Sequence, residues 1–257
     1  MRRALFLSCL AVAACTGNGE VGELPPPSGP PEIRSDVVAS HGREFDGDLS
    51  KRDAGSQEEF AAASYITGHL QQAGYAVKLE PVPVGDLVRS TNVVALPPGG
   101  DPVGAVVAIP YDNTPNVPPQ GADLGLFLEI ARALRVVEPD HHVQFVALGA
   151  EYSESEGGHL GSRRLVNLLL DADEMPPAVT PSIIDGGGFS SLGPQGVELN
   201  EVAHALGMEP ARPLTDPITP ALLEITKVFQ AAGLEHAVAS GGADEVAEVL
   251  LAYLRDL

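Results

Sequence analysis

Residues 104–152 read GAVVAIPYDNTPNVPPQGADLGLFLEIARALRVVEPDHHVQFVALGAEY, and this stretch decides the fold. GAVVAIPYDN is a short apolar run closing on Tyr111-Asp112-Asn113. TPNVPPQGAD is a Pro-rich loop, LGLFLEIARAL has the period of an amphipathic helix, and HHVQFVALGAEY is a second apolar run ending in Glu151-Tyr152. Near-continuous apolar runs of strand length belong to a sheet covered on both faces. The order strand, helix, strand is a crossover unit of a parallel sheet, and both strands deliver acidic residues at their C-terminal ends, where open α/β sheets place their sites.

The same alternation continues outward. Ser56-Gln57-Glu58-Glu59 is a capping box, and Phe60, Ala63, Ile66, Leu70 and Ala73 form a stripe at helical spacing that Gly74 stops. YAVKLEPVPV and STNVVALPP read as strands flanking a loop. Beyond Tyr152, SESEGGH is a polar loop and LGSRRLVNLLL a helix, and PSIIDGGGF is a short strand with Asp185 at its C-terminal end. Residues 197–208 and 220–232 read as helices, LEHAVASGG as a last strand and ADEVAEVLLAYLRDL as a closing helix. No internal repeat is visible. The expected fold is a single α/β domain, a mostly parallel mixed sheet flanked by helices on both faces.

With 257 residues the chain can bury a substantial core, and a formal charge of −20 argues against nucleic acid or an anionic lipid surface as partner. The N-terminus carries Arg2-Arg3, an apolar ALFLSCLAVAA and Cys15. Val12-Ala13-Ala14-Cys15 resembles the lipobox of bacterial lipoproteins, in which the Cys is lipidated and becomes the mature N-terminus. Residues 1–14 are then a signal peptide, 15–35 a lipidated Cys with a Pro/Gly-rich tether, and 36–257 the α/β domain. Cys9 leaves with the signal and Cys15 carries lipid, so the folded part has no disulfide. The expected location is the bacterial cell envelope, with the membrane reached through the N-terminal lipid. Thr16, rather than Asp, after the Cys points to the outer membrane, facing periplasm or surface.

Four pieces in order, SQEEFAAASYITGHLQQAGYAVKLEPV with STNVVAL, VVAIPYD with GAD and LFLEIARAL, VQFVALGAEY with GGHLGSRRLV, and SIIDGGG, resemble the co-catalytic di-zinc aminopeptidases. That family comprises bacterial leucyl aminopeptidases, with glutamate carboxypeptidase and glutaminyl cyclase relatives. The resemblance runs from about Ala39 to the C-terminus. It implies two zinc ions ~3.5 Å apart that polarise a scissile carbonyl and generate hydroxide, with a Glu shuttling the proton.

Carried over residue by residue, the resemblance makes Glu151 the general base and Asp112 the residue that orients a His ligand. It makes Asp123 the bridging carboxylate and Asp185 a later ligand. Pro110 stands where the His belongs, Tyr152 where a second Glu would ligate, and a late His is missing because Gly241-Gly242 runs almost directly into the closing helix. Catalytic zinc needs about three protein ligands, commonly with His among them. His159, His204 and His236 are the substitutes nearest the expected rim, whereas His141-His142 begins a strand at the far end and is expected to be solvated. Asp112, Asp123, Glu151 and Asp185 without zinc form an all-oxygen set better suited to Ca²⁺ or Mg²⁺. Gly186-Gly187-Gly188 reads as turn chemistry or as a substrate-approach loop. Nucleophile elbow, phosphate loop and thiol motifs are absent from the sequence.

Three expectations follow: a degenerate aminopeptidase-like domain held in the envelope, which binds a peptide or protein partner; an active zinc exopeptidase with non-standard ligands; and an interaction module whose partner surface lies elsewhere.

Overall fold

A computed structural model describes residues 29–257 apart from 100–101, 116, 118–119, 138, 140, 174, 185–187 and 210–219. Signal peptide, Cys15, most of the tether and Asp185 therefore lie outside the described residues.

The elements in chain order are α1 (Ser35–Asp46), α2 (Gln57–Gln72), β1 (Ala76–Val84), β2 (Val88–Leu96), β3 (Val103–Pro110), α3 (Gly121–Val137) and β4 (His142–Leu148). A short 3₁₀ turn at Ser155–Gly157 precedes α4 (Leu160–Asp171), β5 (Ala178–Ile183), β6 (Ser190–Leu192), α5 (Gly196–Ala205), α6 (Pro220–Ala231), β7 (His236–Gly241) and α7 (Ala243–Asp256). The seven strands form one sheet in the order β1-β2-β4-β3-β5-β7-β6. Its middle, β4-β3-β5-β7, is parallel; β2 joins β4 antiparallel, bringing β1 as a hairpin edge, and β6 pairs antiparallel with β7.

Both faces of the middle strands are covered, which is why their sequences do not alternate. Val107 and Ile109 of β3, with Phe145 and Ala147 of β4, pack under α2, α3, α5 and α7. Val106, Ala108, Val146 and Leu148 point the other way, against Leu165 and Leu169 of α4 and Leu222, Ile225 and Phe229 of α6. Each strand end therefore sits in a fixed register between two helix layers. No helix among the described residues is long and apolar enough to cross a membrane.

Sequence reading and structure differ in three places. Helix α1 and strand β6 stand outside the elements read from the sequence. Helix α1 is nonetheless amphipathic, burying Val38, His41, Gly42 and Phe45 at helical spacing. Helix α1 crosses α3 backbone to backbone: a Cβ on Gly121 would lie 2.3 Å from the Gly42 carbonyl oxygen, and one on Gly125 2.4 Å from that of Val38. The α2 stripe holds at Ala63, Ile66, Leu70 and Ala73, all buried and joined by Ala62, but not at Phe60, which is 67% exposed. Ser56 does accept the Glu59 N–H (2.9 Å), but the Glu59 carboxylate accepts from Gly55 N–H and Ser90 Oγ, tying α2 to β2.

Candidate active site at the C-terminal edge of the sheet

Asp112 lies two residues past β3 and Glu151 three past β4, so parallel pairing of the strands brings them side by side. Asp112 is fully buried. Its Oδ1 accepts the Glu151 N–H (3.0 Å) and its Oδ2 the Tyr152 N–H (2.9 Å), a two-pronged clamp on the turn after β4. Burial first, then the neighbouring Glu151 and Glu59 charges, push its carboxyl well above the ordinary range, against the pull of those two N–H groups. In that turn the buried Ala150 adopts φ +55°, a left-handed conformation strained for a residue with a Cβ.

Glu151 is 1% exposed, and the first turn of α4 is wrapped around its carboxylate. Ser162 N–H donates to Oε1, and the His159 Nδ1 lies 3.3 Å from Oε2. Orphan N–H groups at a helix start suit a carboxylate. His159, at φ +54°, ends the polar loop and donates its own N–H to the Glu151 carbonyl. The fit depends on Gly161, where a Cβ would come within 2.4 Å of the Gly149 carbonyl oxygen, and on Asn92. Asn92 accepts from Gly149 N–H and donates to the Gly161 carbonyl, joining β2, β4 and α4.

Asp123 opens α3, and its Oδ1 accepts the Ile183 N–H of β5 at 2.6 Å. Enclosure raises its carboxyl to about 7, opposed by that hydrogen bond and aided by Asp46. The start of α3 is in turn held by Asp46 of α1, whose Oδ1 accepts the Gly121 N–H at 3.0 Å. The Tyr152 phenol lies within the field of Asp112, Glu151 and Asp123, and its oxygen accepts from Gln120 Nε2 at 2.6 Å. Burial, then those three carboxylates, drive the phenol above its usual range, so it stays protonated. Behind them lies Arg52, 0% exposed, which donates to the carbonyls of Tyr111, Phe45 and Leu49.

The other histidines divide cleanly. His236 starts β7 at the opposite end of the sheet, bonded through its two ring nitrogens to Thr180 and Thr226, with burial lowering its pKa to about 3. His204 is exposed at the end of α5. His141 and His142 are half-buried, not solvated, at the far end. Of the three substitutes, His159 alone reaches Glu151. Asn92, Gln120, Arg52, Gly161 and Ser162 were not legible as site residues. The available signals were a polar Asn inside STNVVAL and a Gln directly before GAD.

Comparison with solved structures gives close superpositions. Fimbriiglobus ruber glutaminyl cyclase matches with a TM-score of 0.70 at 17% identity, over 90% of this chain and 98% of that one. A leucine aminopeptidase precursor from Bacteroides thetaiotaomicron gives 0.67 at 16%, over 87% and 97%. The zinc aminopeptidase BSAP from Bacillus subtilis gives 0.66 at 14%, over 90% and 96%.

The chain has the zinc-exopeptidase fold. No family model and no curated protein sequence matches it.

Zinc is the ion that this fold implies, and the described donors do not fit a pair of them. Pro110 has no side-chain donor atom, which leaves Asp112, the residue assigned to orient a His there, with backbone N–H groups as its partners. Tyr152 presents a protonated phenol where an anionic ligand is implied. Among the described residues no three His, Cys, Asp or Glu side chains converge in a way that could hold a metal ion. The connection from β7 to α7 is Gly242 alone, which leaves no segment for a late ligand.

Proposed function

We propose that this chain is a lipid-anchored envelope protein whose aminopeptidase-like domain is degenerate and does not run di-zinc catalysis. The observation that carries the reading is Tyr152, a protonated phenol held by Gln120 among Asp112, Asp123 and Glu151, where the resemblance places an anionic ligand. The domain serves as a binding or structural module for a peptide or protein partner, with the lipid on Cys15 as the membrane link.

Zinc loading followed by elemental analysis tests the central claim. The native chain is expected to hold well under about one zinc and to leave Leu-p-nitroanilide intact, whereas Pro110→His with Tyr152→Glu raises zinc uptake toward about one per chain. Two zincs in the native protein, with turnover, sink the proposal. Anchoring is tested by Cys15→Ala, which moves the protein from the membrane to the soluble fraction; a variant that stays membrane-bound removes the lipid from the account.

A second reading, an active exopeptidase with a non-standard ligand, is favoured by one contact, His159 against Glu151. It requires native turnover that His159→Ala abolishes.

A further inference from the structure

Where both pack beside α3, α1 and α2 meet through an aromatic knot. His41 Nδ1 is 2.8 Å from the Tyr65 hydroxyl, and the His41 and His69 rings stand edge to face with centroids 4.6 Å apart. The Tyr65 ring lies tilted against His69 with centroids 4.4 Å apart and edge to face with Phe45 at 5.3 Å. His41 is 7% exposed. The rings border a cavity of about 300 Å³ also lined by Arg34, Gln72, Leu128, Glu129 and Arg132.

Every charged group facing this pair is already placed. From the segment before α1 comes Arg34, and from α3 come Glu129 and Arg132. Glu44 of α1 acts on Tyr65, and α2 contributes His69 itself. Glu129 is the carboxylate lining the cavity, and it is shared between two guanidinium groups: Arg34 binds it through Nε and Nη2 (3.1 and 2.6 Å), and Arg132 through Nε at 3.1 Å. A proton added to His41 therefore meets a second imidazole and the Arg34 guanidinium, and the pull of Glu129 on both imidazoles is outweighed by their burial.

We propose that the His41–Tyr65–His69 knot is an acid-sensitive latch that holds α1 against α2 when both imidazoles are neutral and lets it go when they charge. The consequence reaches the candidate site without involving its own ionisation. Helix α1 ends in Asp46, which caps Gly121 at the start of α3, and its Phe45 carbonyl receives Arg52. Opening the knot frees the side of α1 that faces α2 and leaves α1 seated on α3, so the Asp46 cap is the route by which the change is felt at the start of the helix that carries Asp123. The latch does not depend on whether that site binds metal.

Burial, then the neighbouring His69, holds His41 down to about 4, and burial lowers His69 as well. The test is hydrogen exchange in residues 35–46 at pH 7.5 and pH 5, corrected for intrinsic rates, in the native protein and in His69→Gln. Native α1 is expected to exchange on the order of ten times faster at pH 5, and the variant only about threefold, because burial of His41 persists. Equal acid responses in the two proteins overturn the latch. Should the variant fail to fold, imidazole titration of the native protein by NMR decides: midpoints near the ordinary value of about 6.5 for both rings overturn it, and a His41 midpoint near 4 supports it.

Discussion

The acidic edge and the knot between α1 and α2 are both sites where burial resists charge, and they answer pH in opposite directions. At the edge the titrating groups are carboxyls. Asp123, raised to about 7, stabilises the fold most when protonated, so its contribution is full below about pH 4 and is lost as pH rises through 7. At the knot the groups are imidazoles lowered below their usual value. Their contribution is full above about pH 6.5 and is lost as pH falls toward 4. The edge is also tied by backbone N–H groups, whereas the knot is tied mostly by ring contacts. Burial alone therefore does not tell how a cluster will respond; the sign of the charge being refused does.

The largest expected effect comes from breaking the backbone tie at the edge. Asp112→Ala leaves the Glu151 and Tyr152 N–H groups buried and unpaired, and is expected to cost about 2–5 kcal/mol in urea unfolding at pH 7. A loss under about 0.5 kcal/mol means that Asp112 is not the clamp. The smaller effect sharpens the contrast in sign. Asp123→Asn keeps an oxygen for the Ile183 N–H but removes the charge, so it should gain roughly 1–2 kcal/mol at pH 8 and almost nothing at pH 4. Unfolding curves at the two pH values check this, and a gain that grows toward acid contradicts it. His69→Gln should show the reverse trend against the native chain, with its advantage appearing only in acid.

Much of the frame was readable before any coordinates. The unbroken apolar runs around Val106 and Val146 demanded a sheet covered on both sides, and the acidic residues closing them fell together as parallel register requires. What escaped reading has physical causes. In helix α1, Gly42 gives up helix propensity for close packing, since a Cβ there would lie 3.3 Å from the Ala122 backbone N of α3, and Phe60 lies outside the buried side of α2. Within the site, Asn92 and Arg52 reach the carbonyls of Gly161 and Tyr111, and Gln120 reaches the Tyr152 phenol, between 32 and 69 positions away in sequence. Spacing along the chain carries no trace of such pairings. The histidines show the limit from the other side: His159, His204 and His236 look alike in the sequence, and only the third dimension separates an edge contact from a solvent position and a sealed core.

One junction limits what substitution alone can do. Strand β7 passes to α7 through Gly242, whose N–H is taken up by Glu245 of that helix at 3.1 Å. A connection so short and already capped has no slack in which a new side chain could be housed. Placing a ligand there takes inserted chain, whereas Pro110 and Tyr152 can each be exchanged for a ligand in place.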